Sequence, residues 1–215
     1  MVFSALLLAS LAWAQTPSDI RKLADAVDKR YNRLSSLETN FVEVYRGGGM
    51  SRSESGTMWL KKPGKMRWEY RTPREKLFVT DGRNAWFYVP GEKQARRASV
   101  KSLDDLRSPL RYLLGRTKLD KEFEGLSFAP DAKPATPGNT VLRGVPKYMA
   151  DRVSQVLLEI TPENRIARIY IEELDGSTTE FRFQDQRDNV QVADQRFRFS
   201  PPMGVEVMEA KELEP

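Results

Sequence analysis

A mainly β fold with a helical lid is what this sequence predicts: about ten or eleven antiparallel strands curled into a half-closed barrel, covered by one long N-terminal helix and short inserted helices. Three observations carry that prediction. From Leu37 onward, apolar residues recur at every second position. The strand-like segments are joined by tight-turn chemistry, which leaves no room for the crossover helices that a parallel sheet needs. Helical spacing is confined to the stretch after Pro17 and to two short leucine-rich segments near residues 102–115.

Residues 1–14 stand apart from the domain. Val2 to Trp13 is apolar, too short to span a bilayer, and ends in Ala12-Trp13-Ala14 before Gln15. It reads as a cleaved secretory signal, although no Lys or Arg precedes it, and residues 15–215 then form a single domain. Gln15 stands where an exported lipoprotein would carry its acylated Cys, so this chain is not expected to be lipidated there. The first element of the domain is a helix with Ser18 as candidate N-cap and Ile20, Leu23, Ala24, Val27, Tyr31 and Leu34 along one face.

Six strands follow, at Phe41 to Tyr45, Thr57 to Lys61, Met66 to Tyr70, Lys76 to Thr80, Ala85 to Val89 and Lys93 to Ser99. Gly47-Gly48-Gly49, Pro63-Gly64, Thr72-Pro73, Asp81-Gly82 and Pro90-Gly91 supply the turns between them. Ser102 with Asp105 resembles a capping box, and Ser108-Pro109 starts a second short helix that Gly115 closes. Leu103, Leu106, Leu110, Leu113 and Leu114 give these helices an apolar stripe that needs a surface to dock on. After a Pro-rich loop at residues 130–139, strands resume at Val153 to Ile160, Arg165 to Glu172, Thr178 to Gln184 and Val190 to Val192. The tail from Val205 to Pro215 is expected to end in an acidic, frayed segment. Where alternation is clean it separates a greasy face (Met66, Trp68, Tyr70, Phe181, Phe183) from a charged one (Lys65, Arg67, Glu69, Glu180, Arg182).

Composition removes most catalytic chemistry. The 215 residues include no His and no Cys. That excludes an imidazole base, a thiolate, a disulfide and the usual zinc ligands. Paired carboxylates occur at Asp104-Asp105 and Glu172-Glu173, but neighbours on a strand point to opposite faces, and acids in a first helical turn complement its dipole. The glycine triplet lacks the Gly-Lys-Ser/Thr of a phosphate loop. No catalytic residue, metal or cofactor is expected, and the protein is not expected to be an enzyme. A net charge of +5 is spread along the chain and suits an anionic membrane or acidic partner better than nucleic acid.

Several stretches, taken in order, resemble the outer-membrane lipoprotein carrier protein family, LolA. They are Gly56-Thr57-Met58-Trp59-Leu60-Lys61-Lys62-Pro63-Gly64-Lys65-Met66-Arg67-Trp68, Val79-Thr80-Asp81-Gly82, Trp86-Phe87-Tyr88-Val89-Pro90, Ser108-Pro109-Leu110, and Phe197-Arg198-Phe199-Ser200-Pro201-Pro202-Met203-Gly204-Val205. The resemblance implies an unclosed antiparallel β-barrel capped by helices, whose apolar cavity takes lipoprotein acyl chains in the periplasm. It implies an inner-membrane lipoprotein-releasing ABC transporter and, where one exists, an outer-membrane lipoprotein acceptor as partners. It also implies transport between the two membranes by a monomeric carrier. Lys62 stands where the family often has an Arg that ties the barrel mouth to the lid, and Met66 where it often has Phe at the cavity mouth. Strand parity assigns Trp68, Tyr70, Leu77, Val79, Trp86, Tyr88, Phe181 and Phe183, with Met66, to the cavity; the leucines of the short helices, Leu110, Leu113 and Leu114, are expected to close it, and the resemblance implies that Lys62 meets that lid. The alternatives are an envelope sensor that binds lipid or lipoprotein on the same fold, and an exported hydrolase built on Glu172 or Glu173.

Overall fold

The computed structural model describes residues 17–99, 112–113 and 118–210. The signal at residues 1–14 and most of the leucine-rich insert, including Leu110 and Leu114, lie outside the described residues.

Helix α1 spans Pro17–Arg33. Pro17 occupies the first helical position, where a missing N–H breaks no bond, so Ser18 lies inside the helix instead of capping it. Ala24, Val27 and Tyr31 recur at helical spacing and are buried, while Arg21, Lys22, Asp25 and Lys29 face water. Tyr31 at the end of this stripe fixes the helix to the sheet: its hydroxyl accepts from the Ile166 amide at 2.9 Å and donates to Gln186 Oε1 at 3.2 Å. Burial pushes that phenol far above its ordinary pKa. Beside it, Asp188 receives Arg30 and Arg165, which ties the helix to the end of the sheet.

One sheet of twelve strands follows: β1 Ser36–Gly47, β2 Met50–Lys61, β3 Lys65–Thr72, β4 Lys76–Asp81, β5 Asn84–Tyr88, β6 Gln94–Ser99, β7 Phe123–Phe128, β8 Thr140–Pro146, β9 Val153–Ile160, β10 Ile166–Glu173, β11 Thr178–Asp188 and β12 Glu206–Glu209. A single-turn helix α2, Leu119–Glu122, precedes β7. The spatial order is β12-β6-β5-β4-β3-β2-β1-β11-β10-β9-β8-β7. Two meanders are therefore joined along β1 and β11, and the outermost strands β12 and β7 do not pair with each other. Every pairing is antiparallel except β12 on β6. The barrel is unclosed, as expected, and has one or two strands more than the pattern suggested.

The differences have local causes. β7 and β8 carry Gly125 and Gly144, and β8 ends in Pro146, so their alternation is short and interrupted. Val190 to Val192 is not a strand. The tail contributes a strand that the pattern did not suggest: Glu206–Glu209 pairs with β6, and Arg97 holds Glu209, while its end at residues 211–215 lies outside the described residues.

On the convex face the chain after β11 forms a strap. Lys61 and Lys65 each approach Asp194 at 2.7 Å and hold its carboxyl down at about 2. Arg196 lies 4.2 Å over the Trp59 ring, Phe197 is buried, and Phe199 sits 5.5 Å from Trp86 and 5.4 Å from Tyr88.

Gly56 illustrates how closely the strands approach. It lies on the concave side of β2 at a register shift against β3, and a Cβ there would fall 1.9 Å from the Glu69 carbonyl oxygen. Backbone cannot yield as a side chain can. Gly56→Ala is expected to lower stability by about 2 kcal/mol or more, read as a lower urea midpoint; an unchanged midpoint would show that β2 and β3 tolerate separation.

Candidate functional site

The concave face is built by alternate residues. In β3 these are Met66, Trp68 and Tyr70, all buried. Cross-strand register then carries the face outward from β3. Met58 stands opposite Trp68, Phe41 opposite Gly56, Phe183 opposite Phe41, Ile169 opposite Phe181, and Leu158 opposite Ile169. The rings touch. Phe41 meets Trp68 at 4.6 Å and Tyr70 at 4.9 Å, both edge-on, and Phe181 meets Trp68 at 6.1 Å. Together with the inner stripe of α1 they form one continuous apolar cluster.

Strand parity reads correctly on β3 and β11 and is off by one on β4 and β5. Trp68 faces Phe78, and Phe78 faces Phe87, so the concave residues of these strands are Phe78, Thr80, Ala85 and Phe87. Leu77, Val79, Trp86 and Tyr88 point to the convex side, where Val79 opposes Trp86 and the strap covers both aromatics. Their apolar character serves the strap. The structure thus brings Met66, Trp68, Tyr70, Phe181 and Phe183 onto one wall and removes the other four. It adds Phe41, Met58 and Phe78, of which Phe78 was hidden in the Leu77-Phe78-Val79 run, apolar on both faces.

At one end of this wall, the turn between β2 and β3 meets α1. Lys62 Nζ donates to the carbonyl oxygens of Tyr31 at 2.8 Å and Asn32 at 2.9 Å. A cation there satisfies carbonyls left open by the helix end and complements its dipole. Lys62 thus fastens the β2–β3 turn to the end of α1. Leu113, from the insert, is buried among Leu34, Leu37, Leu60 and Lys62, where a gap of only about 10 Å³ remains.

A buried polar group closes the opposite end. Tyr70 Oη donates to Glu43 Oε2 at 3.0 Å, and Lys76 Nζ contacts Glu54 Oε2 at 2.6 Å while lying 4.3 Å over the Tyr70 ring. Arg52 reaches Glu54 at 3.4 Å from the exposed side. Burial pushes the Glu43 carboxyl above its ordinary value, the Tyr70 hydroxyl pulls it back, the nearby Glu54 charge raises it further, and Lys76 and Arg52 oppose that. The folded chain therefore holds this proton more tightly than the unfolded chain does. Its contribution to stability is complete below the ordinary carboxylate value of 4.5 and is lost as pH rises through the raised folded value. In urea unfolding between about pH 4 and about pH 8, Glu43→Gln should lack that loss while the parent shows it; parallel pH profiles would contradict the assignment.

Other groupings offer little chemistry. Among the described residues, the carboxylate cluster of metal-site size is Asp25, Asp28 and Asp120. Asp25 and Asp120 are exposed, and Asp28 accepts the Leu119 amide at 3.0 Å. Glu172 and Glu173 are half-buried, and Gln155 donates to Glu172 at 2.6 Å. A cleft of about 410 Å³ on the convex side is lined by Lys65, Asp81, Arg83, Asp194 and residues 197–200, a charged surface unsuited to hydrocarbon. No helix among the described residues is long and apolar enough to cross a membrane.

The same arrangement recurs in known proteins. An uncharacterized conserved protein from Thermus thermophilus superposes with a TM-score of 0.53 at 12% identity, covering 88% of this chain and 98% of its own, a likeness of fold alone. The outer-membrane lipoprotein carrier protein of Nitrosospira multiformis is 32% identical over 157 residues, covering 72% of each chain. That of Bordetella bronchiseptica is 30% identical over 206 residues, 95% of this chain and 91% of the relative. The carriers of this family are not enzymes. Since the model of the outer membrane lipoprotein carrier protein LolA matches residues 32–200, well over half the sequence, the chain belongs to that family.

Proposed function

We propose that the chain is a periplasmic carrier that takes lipoprotein acyl chains onto its concave face and conveys them from the inner to the outer membrane. The observation that carries this reading is the uninterrupted apolar wall of Phe41, Met58, Trp68, Phe78 and Phe181, which faces α1 and is bounded by Lys62 and Leu113 at one end and the Glu43 cluster at the other. An acyl chain moved from water onto such a wall gains about 0.8 kcal/mol per methylene. A cargo with two or three chains would otherwise stay in its membrane. The cargo arrives from an inner-membrane lipoprotein-releasing ABC transporter and leaves to an outer-membrane acceptor where one is present, with residues 1–14 directing export.

Loading must part groups that now touch. Leu113 has to leave its seat between Leu34 and Leu60, and the rings around Trp68 have to separate. Neither motion breaks a covalent bond, and both replace apolar contacts by apolar contacts with the cargo, so the exchange is nearly balanced. Direction then comes from the membrane partners. Leu110 and Leu114 extend the same apolar stripe and are assigned to the lid with Leu113 and Lys62.

Purified protein should release lipoproteins from spheroplasts into the soluble fraction; retention of all of them in the membrane pellet would sink the carrier reading. Leu113→Glu places a carboxylate at a buried seat and is expected to weaken loading of a triacylated peptide by about tenfold or more. The strand signal in circular dichroism should persist. Undiminished loading would remove Leu113 from the lid.

A further inference from the structure

The middle of the concave wall holds a polar atom that the carrier reading has not used. Trp68 is completely buried, and its indole Nε1–H has no hydrogen-bond partner among the described residues. The neighbouring protic groups on this wall are all engaged. Tyr70 Oη donates to Glu43, Lys76 to Glu54, and Thr39 Oγ1 to the Gln184 carbonyl at 2.8 Å, while Thr80 Oγ1 accepts the Gly82 amide at 3.1 Å. Arg30 and Arg143 also hold one unpaired buried atom each, but those side chains have further polar atoms to engage. The indole has one polar atom and that atom is a donor.

An apolar wall has no need of it. Phe serves at positions 41, 78, 181 and 183, and a Phe ring at 68 would give edge-on contacts without leaving a buried donor open. The ligand that turns this liability into a gain must be mostly hydrocarbon, so that it can lie against Phe41 and Phe181. It must also bring one acceptor and no donor of its own. A fatty acyl group in ester linkage has that composition: a carbonyl oxygen at the head of an alkyl chain, with no N–H or O–H beside it.

Position fits as well. Trp68 is the fourth residue of β3, counted from the turn that carries Lys62. At strand rise it lies about 10 Å below that end. With the cargo's head held at the Lys62 end, the linkage carbonyl comes within reach of this depth, while the chain methyl runs on past it. Resting on the proposal that acyl chains occupy the concave face, we infer that Trp68 Nε1–H is a subsite for the linkage carbonyl of one acyl chain. It sets how deep that chain sits and lets the protein prefer acyl chains over plain alkyl chains.

The test compares two ligands that differ in the carbonyl, a dipalmitoyl glycerol diester and the dihexadecyl glycerol diether, as competitors against a fluorescent fatty-acyl probe. The parent protein is expected to bind the diester about tenfold more tightly, equivalent to about 1.4 kcal/mol. Trp68→Phe, which keeps a ring and removes the donor, should bind both ligands alike. In 15N-labelled protein, the Trp68 indole resonance should move downfield with the diester and not with the diether; Trp13→Phe, Trp59→Phe and Trp86→Phe complete its assignment even if Trp68→Phe fails to fold. Equal binding of the two ligands by the parent, discrimination retained in Trp68→Phe, or an indole resonance indifferent to the carbonyl would overturn the subsite and leave the carrier reading standing. Failure of both ligands to displace the probe would overturn the two together.

Discussion

The pairing of β1 with β11 joins what would otherwise be two separate meanders. Residues 36–99 form one ribbon of neighbours and residues 123–188 another, and among the described strands they pair with each other only where Leu37 to Arg46 runs against Asp188 to Thr178. Along that seam Phe41 faces Phe183 and Glu43 faces Phe181. The aromatic wall therefore depends on register: a slip of one residue would turn Phe181 and Phe183 outward and bring Glu180 and Arg182 inward. Charge on the opposite face discourages that slip, because Glu180 and Glu159 are already committed to Arg168 there.

The two faces are protected differently. On the concave side, α1 supplies Ala24, Val27 and Tyr31, and its C-terminal end is anchored by Lys62, Arg30 and the Tyr31 hydroxyl. On the convex side the strap lays Arg196 over Trp59 and Phe199 against Trp86 and Tyr88. A further convex group is polar. There the buried Glu159 gathers the amides of Ala135 and Thr136 and the Asn139 side chain, which outweigh its burial and hold it ionised, fastening the Pro-rich loop to β9. Fixed convex contacts leave the concave face as the surface whose cover can be exchanged.

Much of this was legible in the residues. The period of two, the turn dipeptides and the single amphipathic helix specified an antiparallel, half-closed sheet with α1 over it. Face assignment was legible only where polar and apolar residues alternate, as in Lys65 to Arg71. It failed on β4 and β5 because the strap makes both faces of those strands apolar, and the covering residues, Phe197 and Phe199, lie more than a hundred positions away in sequence. β12 was illegible for the opposite reason. All four of its residues are exposed, so it is held by backbone bonds to β6 and by Arg97, and leaves no hydrophobic pattern. The unpaired indole N–H of Trp68 likewise cannot be read from sequence, since an aromatic in a strand looks the same whether or not its polar atom is satisfied.

The proposed function requires that cargo chains occupy the concave face and not the convex cleft or the strap. A triacylated peptide bearing a photoreactive diazirine in its acyl chains, loaded onto the protein, irradiated and mapped by mass spectrometry, tests this directly. Label on Phe41, Trp68, Phe78 and Phe181 is the predicted result. Label concentrated on Trp86, Tyr88 and Phe199 would place the chains on the other side of the sheet and contradict it.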